Sequence, residues 1–184
     1  MEETATILQP TRQRMSKHSA SPFKTFEPLH AGVEMPSRAT AGSVGYDVRA
    51  YVLGREVRGY RGLDPIVVQP DGPRLVLGPG VRAAIPLGFK ATMPHGQEAQ
   101  LRLRSSIAFK RGLVMPNAPA TIDPDYPDEW LLLVSNTLDL PVTIEHLERV
   151  AQIVFAAVLY AQDDGTGAPR TGGIGSTGGS LQGS

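Results

Sequence analysis

The sequence predicts an all-β protein, a sandwich or a barrel with one short helix. Short β-branched or aliphatic runs recur from residue 26 to about residue 159: "YDVRAYVL", "PIVVQ", "RLVL", "VRAAIPLGFKATM", "EAQLRLR", "WLLLVSN", "PVTI" and "VAQIVFAAVLY". Between them stand the turn sequences "PDGP", "GPG", "PHG" and "LDLP", and short strands with regular turn signals are the signature of a sandwich or barrel. The 16 prolines point the same way, because proline lacks an amide hydrogen and clashes with the preceding helical turn. A chain of 184 residues with 41% hydrophobic content suits one domain around one core.

Taken in order, residues 1–24 mix charges with Ser, Thr and Gln without periodicity, which predicts a mobile tail. Residues 25–160 hold the strands. Within them "GREVRGYRGLDPIVVQPDGPRL" (54–75) is long for a hairpin and carries Arg55, Arg58 and Arg61, so it reads as a solvated surface insertion. One helix is expected at Ser105 to Lys110, stopped near Gly112. Residues 144–152 have helical spacing, but "PVTI" and "VAQIVFAAV" read better as strands flanking a turn. Residues 161–184 form a Gly-rich arm, with eight of the 20 glycines in residues 165–184. By composition alone that arm is a flexible linker.

Composition excludes several function classes. Lys plus Arg equals Asp plus Glu at 18 each, so the chain is not built for general capture of nucleic acid or of an anionic membrane. With no cysteine there are no disulfides, thiolate metal sites or thiol nucleophile. No apolar run approaches the ~20 residues of a membrane span. The N-terminus has no apolar signal core and two early acids, and a cytoplasmic protein is expected. The four histidines (His18, His30, His95, His146) are not at metal-ligand spacing. No G-x-S-x-G elbow is present.

Three segments carry candidate chemistry. In "TIDPDYPDEW" (121–130) Asp123 follows a β-branched pair and precedes Pro124. A carboxylate held there suits a general base acting on water. Asp128 and Glu129 read as a solvated turn, and the segment fails the EF-hand template. In "RLRSSIAFKRG" (102–112) Arg104, Ser105 and Ser106 open the helix. Two hydroxyls, a guanidinium and free amides suit a phosphate group; an ordinary Ser N-cap is the plainer reading. In "RTGGIGSTGG" Arg170, Ser176, Thr177 and uncovered backbone amides suit a phosphate cradle. It lacks the Lys and following helix of a P-loop.

Read together, the segments resemble the five ordered motifs of the trimeric dUTPase family. "AGSVGYDVRA" (41–50) is similar to A-G-S-A-G-x-D-L-x-A, and "RSSIAFKRG" (104–112) to R-S-G-L-A-x-K-x-G. "GLVMPNAPATIDPDYPDEW" (112–130) is similar to G-L-V…N…G-x-I-D-x-D-Y-R-G-E, and "ERVAQIVF" (148–155) to D-R-I-A-Q-x-x-F. "RTGGIGSTGG" is similar to R-G-x-G-G-F-G-S-T-G, and "LGPGVRAAIPLGFKATMP" (77–94) fits the segment before the second motif. The resemblance covers about residues 26–178.

The resemblance implies a jelly-roll-like β-barrel, a homotrimer with three shared active sites, and hydrolysis of dUTP to dUMP and diphosphate. That reaction lowers dUTP, prevents uracil incorporation into DNA and supplies dUMP for dTMP synthesis. It assigns Asp123 to the water that attacks the α-phosphorus, and Tyr126 to the face of the deoxyribose. Asn117 reads the uracil edge, with backbone groups around Thr121, Ile122 and Leu131. Arg104, Ser105, Ser106 and Gln152 meet the phosphates; Arg170, Ile174, Gly175, Ser176 and Thr177 belong to an arm that closes over them. Asp47 and Arg149 support the site. The resemblance also implies Mg²⁺ carried on the triphosphate and held through water, with no direct protein ligand.

The chain departs from the family pattern at four places. Ser106 replaces a Gly, "YPDEW" replaces Y-R-G-E, Ile174 replaces the arm aromatic, and Arg170 lies one residue nearer the glycine pair. "RSS" and "IDP" also resemble the dCTP deaminases, but the position of their catalytic Glu is Leu133 here, and leucine moves no proton. A dUTPase-like regulator that binds another protein, with dUTP as a switch, is the alternative raised by the altered arm and the 54–75 segment.

Overall fold

Among the described residues every strand pairing is antiparallel, and most pairings join strands that are not neighbours in the chain. The computed structural model describes residues 25–160. The strands are β1 (Thr25–Pro28), β2 (Ser37–Arg38), β3 (Tyr46–Arg49), β4 (Val57–Arg61), β5 (Asp64–Val68), β6 (Arg74–Leu77) and β7 (Val81–Pro86). They continue with β8 (Phe89–Thr92), β9 (Gln97–Leu103), β10 (Leu113–Val114), β11 (Ala120–Ile122), β12 (Leu131–Asn136), β13 (Val142–Glu145) and β14 (Arg149–Ala157). One helix, α1 (Ser105–Arg111), interrupts them among the described residues.

The strands form two five-stranded sheets, ordered β10-β12-β7-β4-β5 and β11-β9-β14-β3-β2, with two strand pairs, β1-β8 and β13-β6. Alternation sets the inner faces. In β12, Leu132, Val134 and Asn136 are buried while Leu131, Leu133 and Ser135 are half-buried. Val81, Ala83 and Ile85 come from the same sheet, and Val48, Leu101, Ala151 and Ile153 from the other. Leu75, Leu77, Val142 and Ile144 of the β13-β6 pair complete the same core. Each fully buried aliphatic side chain contributes about 1.5–3 kcal/mol.

Trp130 is fully buried, with its ring centroid 5.4 Å from that of Phe89 and 6.4 Å from that of Phe26. Its indole N–H has no hydrogen-bond partner. Among the described residues Asn136 is the buried polar side chain of the core. Its amide nitrogen donates to the carbonyls of Leu77 (2.9 Å), Gly78 (3.1 Å) and Leu140 (2.8 Å), and its oxygen accepts from the Leu138 N–H (3.0 Å). It thereby ties the end of β12 to the end of β6 and to the loop before β13.

The helix extends to Arg111 and stops where Gly112 adopts φ 62°, donating its N–H to the Ala108 carbonyl. Only glycine takes that left-handed conformation without strain. A Ser N-cap does not occur. Arg104 is the N-cap, with extended backbone and no side-chain cap bond, so both serines lie within the first turn. Residues 144–152 are strands flanking a turn, but β13 and β14 do not pair with each other: β13 joins β6, and β14 joins β3 and β9. The run "YDVRAYVL" gives a strand only to Arg49.

The 54–75 segment is more regular than a solvated loop. β4 and β5 form a hairpin, and β4 also pairs with β7 through Gly59↔Ala83, Tyr60↔Arg82 and Arg61↔Val81. Val57 and Gly59 are buried while Arg58 and Tyr60 are exposed, so the segment follows the period-two rule of the sheet it joins.

Candidate active site

β14 lies between β3 and β9, and its register places Gln152 opposite both Asp47 and Arg102. Val48, Leu101, Ala151 and Ile153 take the core side, so Asp47, Gln152 and Arg102 stand together on the opposite face. Gly45 is required beside them. A Cβ there would lie 2.1 Å from Gln152 Oε1 and 3.1 Å from Gln152 Cβ, so the glutamine side chain occupies the space that any larger residue needs.

Asp47 is the anionic centre of this face. Its carboxylate accepts from Arg149 Nη1 at 3.0 Å and lies 3.5 Å from Arg104 Nε. Arg104 also donates to the Arg149 carbonyl at 3.2 Å. Two guanidiniums held by one carboxylate leave a local positive excess, and Arg102 adds to it. Ser43, Gly45, Asp47, Arg102, Arg104, Ser105 and Gln152 line a cleft of about 500 Å³. Cations, a hydroxyl and an amide around one hollow suit a phosphorylated anion.

The remaining candidates stand elsewhere. Asp123 follows β11 and is exposed; its carbonyl accepts the Tyr126 N–H at 3.1 Å. Tyr126 is buried, and its hydroxyl donates to the Glu129 carbonyl at 3.4 Å. Tyr126 and Leu131 line a second cleft, of about 350 Å³, with Arg55, Arg58, Pro86 and Glu129. The two clefts share no lining residue. Asn117, in the loop between β10 and β11, and Thr121 are exposed, whereas Ile122 is buried. Ser106 is half-buried and lines neither cleft. Arg170, Ile174, Gly175, Ser176 and Thr177 lie outside the described residues.

Glu129 is not a solvated turn residue. It is bonded by Arg55 Nη2 at 2.7 Å and Nη1 at 3.3 Å, and by the Gly88 N–H at 2.8 Å. The partner that shields it is distant in sequence, so no local signal marks it. Two further features have no sequence signal. His146 Nδ1 accepts the N–H groups of Val52 (3.2 Å) and Leu53 (3.3 Å), and burial lowers its pKa below 6.5. Arg55 also meets His30 Nε2, at 2.6 Å.

Among the described residues no three His, Asp or Glu side chains converge as a metal site. The donors of the first cleft are mostly cationic or neutral, and its one carboxylate is paired with two arginines. That set fits the phosphates of a metal–nucleotide complex better than a bare cation. No helix of the described residues is long and apolar enough to cross a membrane.

An antiparallel β protein with an arginine-lined cleft across one sheet defines a class by its fold and by a site whose lining suits a phosphorylated ligand. The dUTPase family model matches residues 72–178. The deoxyuridine 5'-triphosphate nucleotidohydrolase of Caulobacter vibrioides is 37% identical over 161 residues, covering 85% of this chain and 92% of the relative. That of Rhizobium rhizogenes is 37% identical over 155 residues, covering 80% and 86%. The dUTPase structure from Streptococcus mutans superposes with a TM-score of 0.60 at 27% identity, covering 76% of this chain and 99% of that one. The dUTPase of Staphylococcus aureus phage phi11 shares the fold at 18% identity and TM-score 0.59, covering 77% and 94%. This chain belongs to the dUTPase family, a family of enzymes.

Proposed function

We propose that this chain hydrolyses dUTP to dUMP and diphosphate. The observation that carries the reading is the convergence of Gly45, Asp47, Arg104, Ser105 and Gln152, from three distant segments, on one cationic cleft. Arg104, Ser105, Ser106 and Gln152 bind the phosphates, with Asp47 and Arg149 holding Arg104 in place. Asp123 takes a proton from a water molecule as the water oxygen bonds to the α-phosphorus. The bond from that phosphorus to the bridging oxygen breaks, and diphosphate leaves. When Mg²⁺ is present on the triphosphate it neutralises charge on the leaving group. The chain's part is to bind and orient the phosphates that carry it.

Tyr126 packs under the deoxyribose and leaves no room for a 2′-hydroxyl. Asn117 and the backbone around Thr121, Ile122 and Leu131 read the uracil edge, where a base with reversed donors would leave buried groups unpaired. Arg170, Ile174, Gly175, Ser176 and Thr177 supply an arm that covers the bound nucleotide. The separate phosphate and sugar clefts of one chain support a site completed between subunits, in a homotrimer of jelly-roll barrels. The cellular consequence of the activity is a lowered dUTP level and a supply of dUMP.

Asp123→Asn tests the chemistry. The variant should bind a non-hydrolysable dUTP analogue as the unsubstituted chain does, with turnover down about 10²–10⁴-fold. Turnover at the full rate would remove Asp123 from the mechanism. Truncation after Asp164 tests the arm: turnover should drop by orders of magnitude while the oligomer persists, and an undiminished rate refutes closure.

A further inference from the structure

Arg55 lies outside all five motifs, in the turn before β4, yet it reaches the loop that carries Asp123 and Tyr126. Its guanidinium grips both carboxylate oxygens of Glu129, at 2.7 and 3.3 Å. The same carboxylate accepts the Gly88 N–H at 2.8 Å, and the backbone carbonyl of Glu129 accepts the Tyr126 hydroxyl at 3.4 Å. The next residue is docked to the same corner: Trp130 N–H donates to the Phe89 carbonyl (3.0 Å), and Leu87 N–H to the Trp130 carbonyl (3.1 Å). A line of contacts therefore runs from Arg55 through Glu129 to the ring of Tyr126.

We propose that Arg55 is a positioning residue for sugar recognition, fixing the Tyr126 ring through Glu129. The proposal rests on the reading above that Tyr126 faces the deoxyribose. Three features make Arg55 suited to it. The pair is shielded, with side chains 26% and 17% exposed, so it is screened less than a surface ion pair. The planar fork matches both carboxylate oxygens and resists rotation. The arginine is itself held, by His30 Nε2 at 2.6 Å and by its own N–H on the Val52 carbonyl at 3.1 Å. Without Arg55, the Glu129 carboxylate keeps the Gly88 amide but loses its countercharge. The 126–129 loop then loses the tie that Glu129 makes to the segment before β4. The phosphate cleft, built around Asp47 on the other sheet, is untouched, so the effect falls on the loop that carries Tyr126 rather than on the phosphate contacts.

The test uses the full chain with Arg55→Gln and Arg55→Lys. Hydrogen exchange without substrate should quicken at the amides of Gly88 and Tyr126 in Arg55→Gln, and less in Arg55→Lys, which keeps the charge but not the fork. With dUTP, the KM of Arg55→Gln should rise about tenfold, as losing one charge-assisted contact implies. The preference for dUTP over UTP in kcat/KM should narrow by about the same factor. If Arg55→Gln does not fold, Arg55→Lys carries both measurements. Unchanged exchange at Gly88 and Tyr126 overturns the proposal, and so does faster exchange with an unchanged dUTP-to-UTP preference. Failure of the unsubstituted chain to hydrolyse dUTP removes the proposed function instead, and the sugar role of Arg55 with it. The exchange experiment then still decides whether Arg55 anchors the loop.

Discussion

Asp47 stands between two guanidiniums, 3.0 Å from Arg149 Nη1 and 3.5 Å from Arg104 Nε, with its own side chain only 15% exposed. The arginines are 45% and 30% exposed, so the ion pairs contribute little to stability, on the order of 1 kcal/mol or less each. Their value is geometric: the carboxylate holds Arg104 at the lining of the cleft. Asp47→Ala should leave two cations facing each other without a counterion. We expect kcat/KM for dUTP to fall about 10–100-fold, as for a lost charge-assisted contact, with little change in melting temperature. Steady-state kinetics beside a thermal melt checks this, and an unchanged kcat/KM refutes the supporting role.

Gly45→Ala places a methyl 2.1 Å from Gln152 Oε1 and 3.1 Å from Gln152 Cβ. The amide end of Gln152 is flexible and can swing away, so the fold survives, but its position in the cleft does not. The variant should raise KM about three- to tenfold, the range of one hydrogen bond. Gln152→Ala should do the same, and the double variant should add little, because both act on one contact. Additive effects would show that Gly45 acts by another route.

Asn136 shares its two amide hydrogens among three backbone carbonyls and accepts one N–H. Asn136→Leu removes all four contacts inside the core and adds apolar bulk. An unmet buried group costs about 1–3 kcal/mol. A loss of about 3 kcal/mol or more is expected, read as a lower urea midpoint with an unchanged slope.

The strands are legible in the sequence because alternation and turn residues are local signals. β6 alternates, with Leu75 and Leu77 buried and Arg74 and Val76 exposed, and Gly112 ends α1 where a left-handed residue is required. What sequence spacing does not carry is the pairing of distant segments. β13 and β14 flank one turn yet join different partners, and the 54–75 segment looks solvated because the strand it pairs with, β7, lies beyond it in the chain. The same limit applies to the site. Asp47, Arg104 and Gln152 are recognisable one by one within motifs, but the register that sets Gln152 opposite Asp47 is a property of the folded sheet. Glu129 looks like one more acid in an acidic turn because its partner, Arg55, is 74 residues away.

His146 gives the pH dependence a definite direction. Its Nδ1 accepts the N–H groups of Val52 and Leu53, at 3.2 and 3.3 Å, and its ring meets Tyr51 edge to face with centroids 4.8 Å apart. Burial disfavours the charged imidazolium, so its pKa in the folded protein lies below 6.5. Protonation would also remove the lone pair that the two amides use. In the window between the lowered folded value and the unfolded value near 6.5, the unfolded chain binds more protons than the folded one. Stability therefore rises with pH through that window: the contribution is fully present above it and is lost as pH falls through the folded value. His146→Asn keeps an acceptor oxygen on a short side chain but does not titrate there. Urea midpoints measured from pH 7.5 down to 5 should fall more steeply for the unsubstituted chain than for His146→Asn. Taking the difference between the two cancels the groups they share. Parallel curves would show that His146 is not the titrating group.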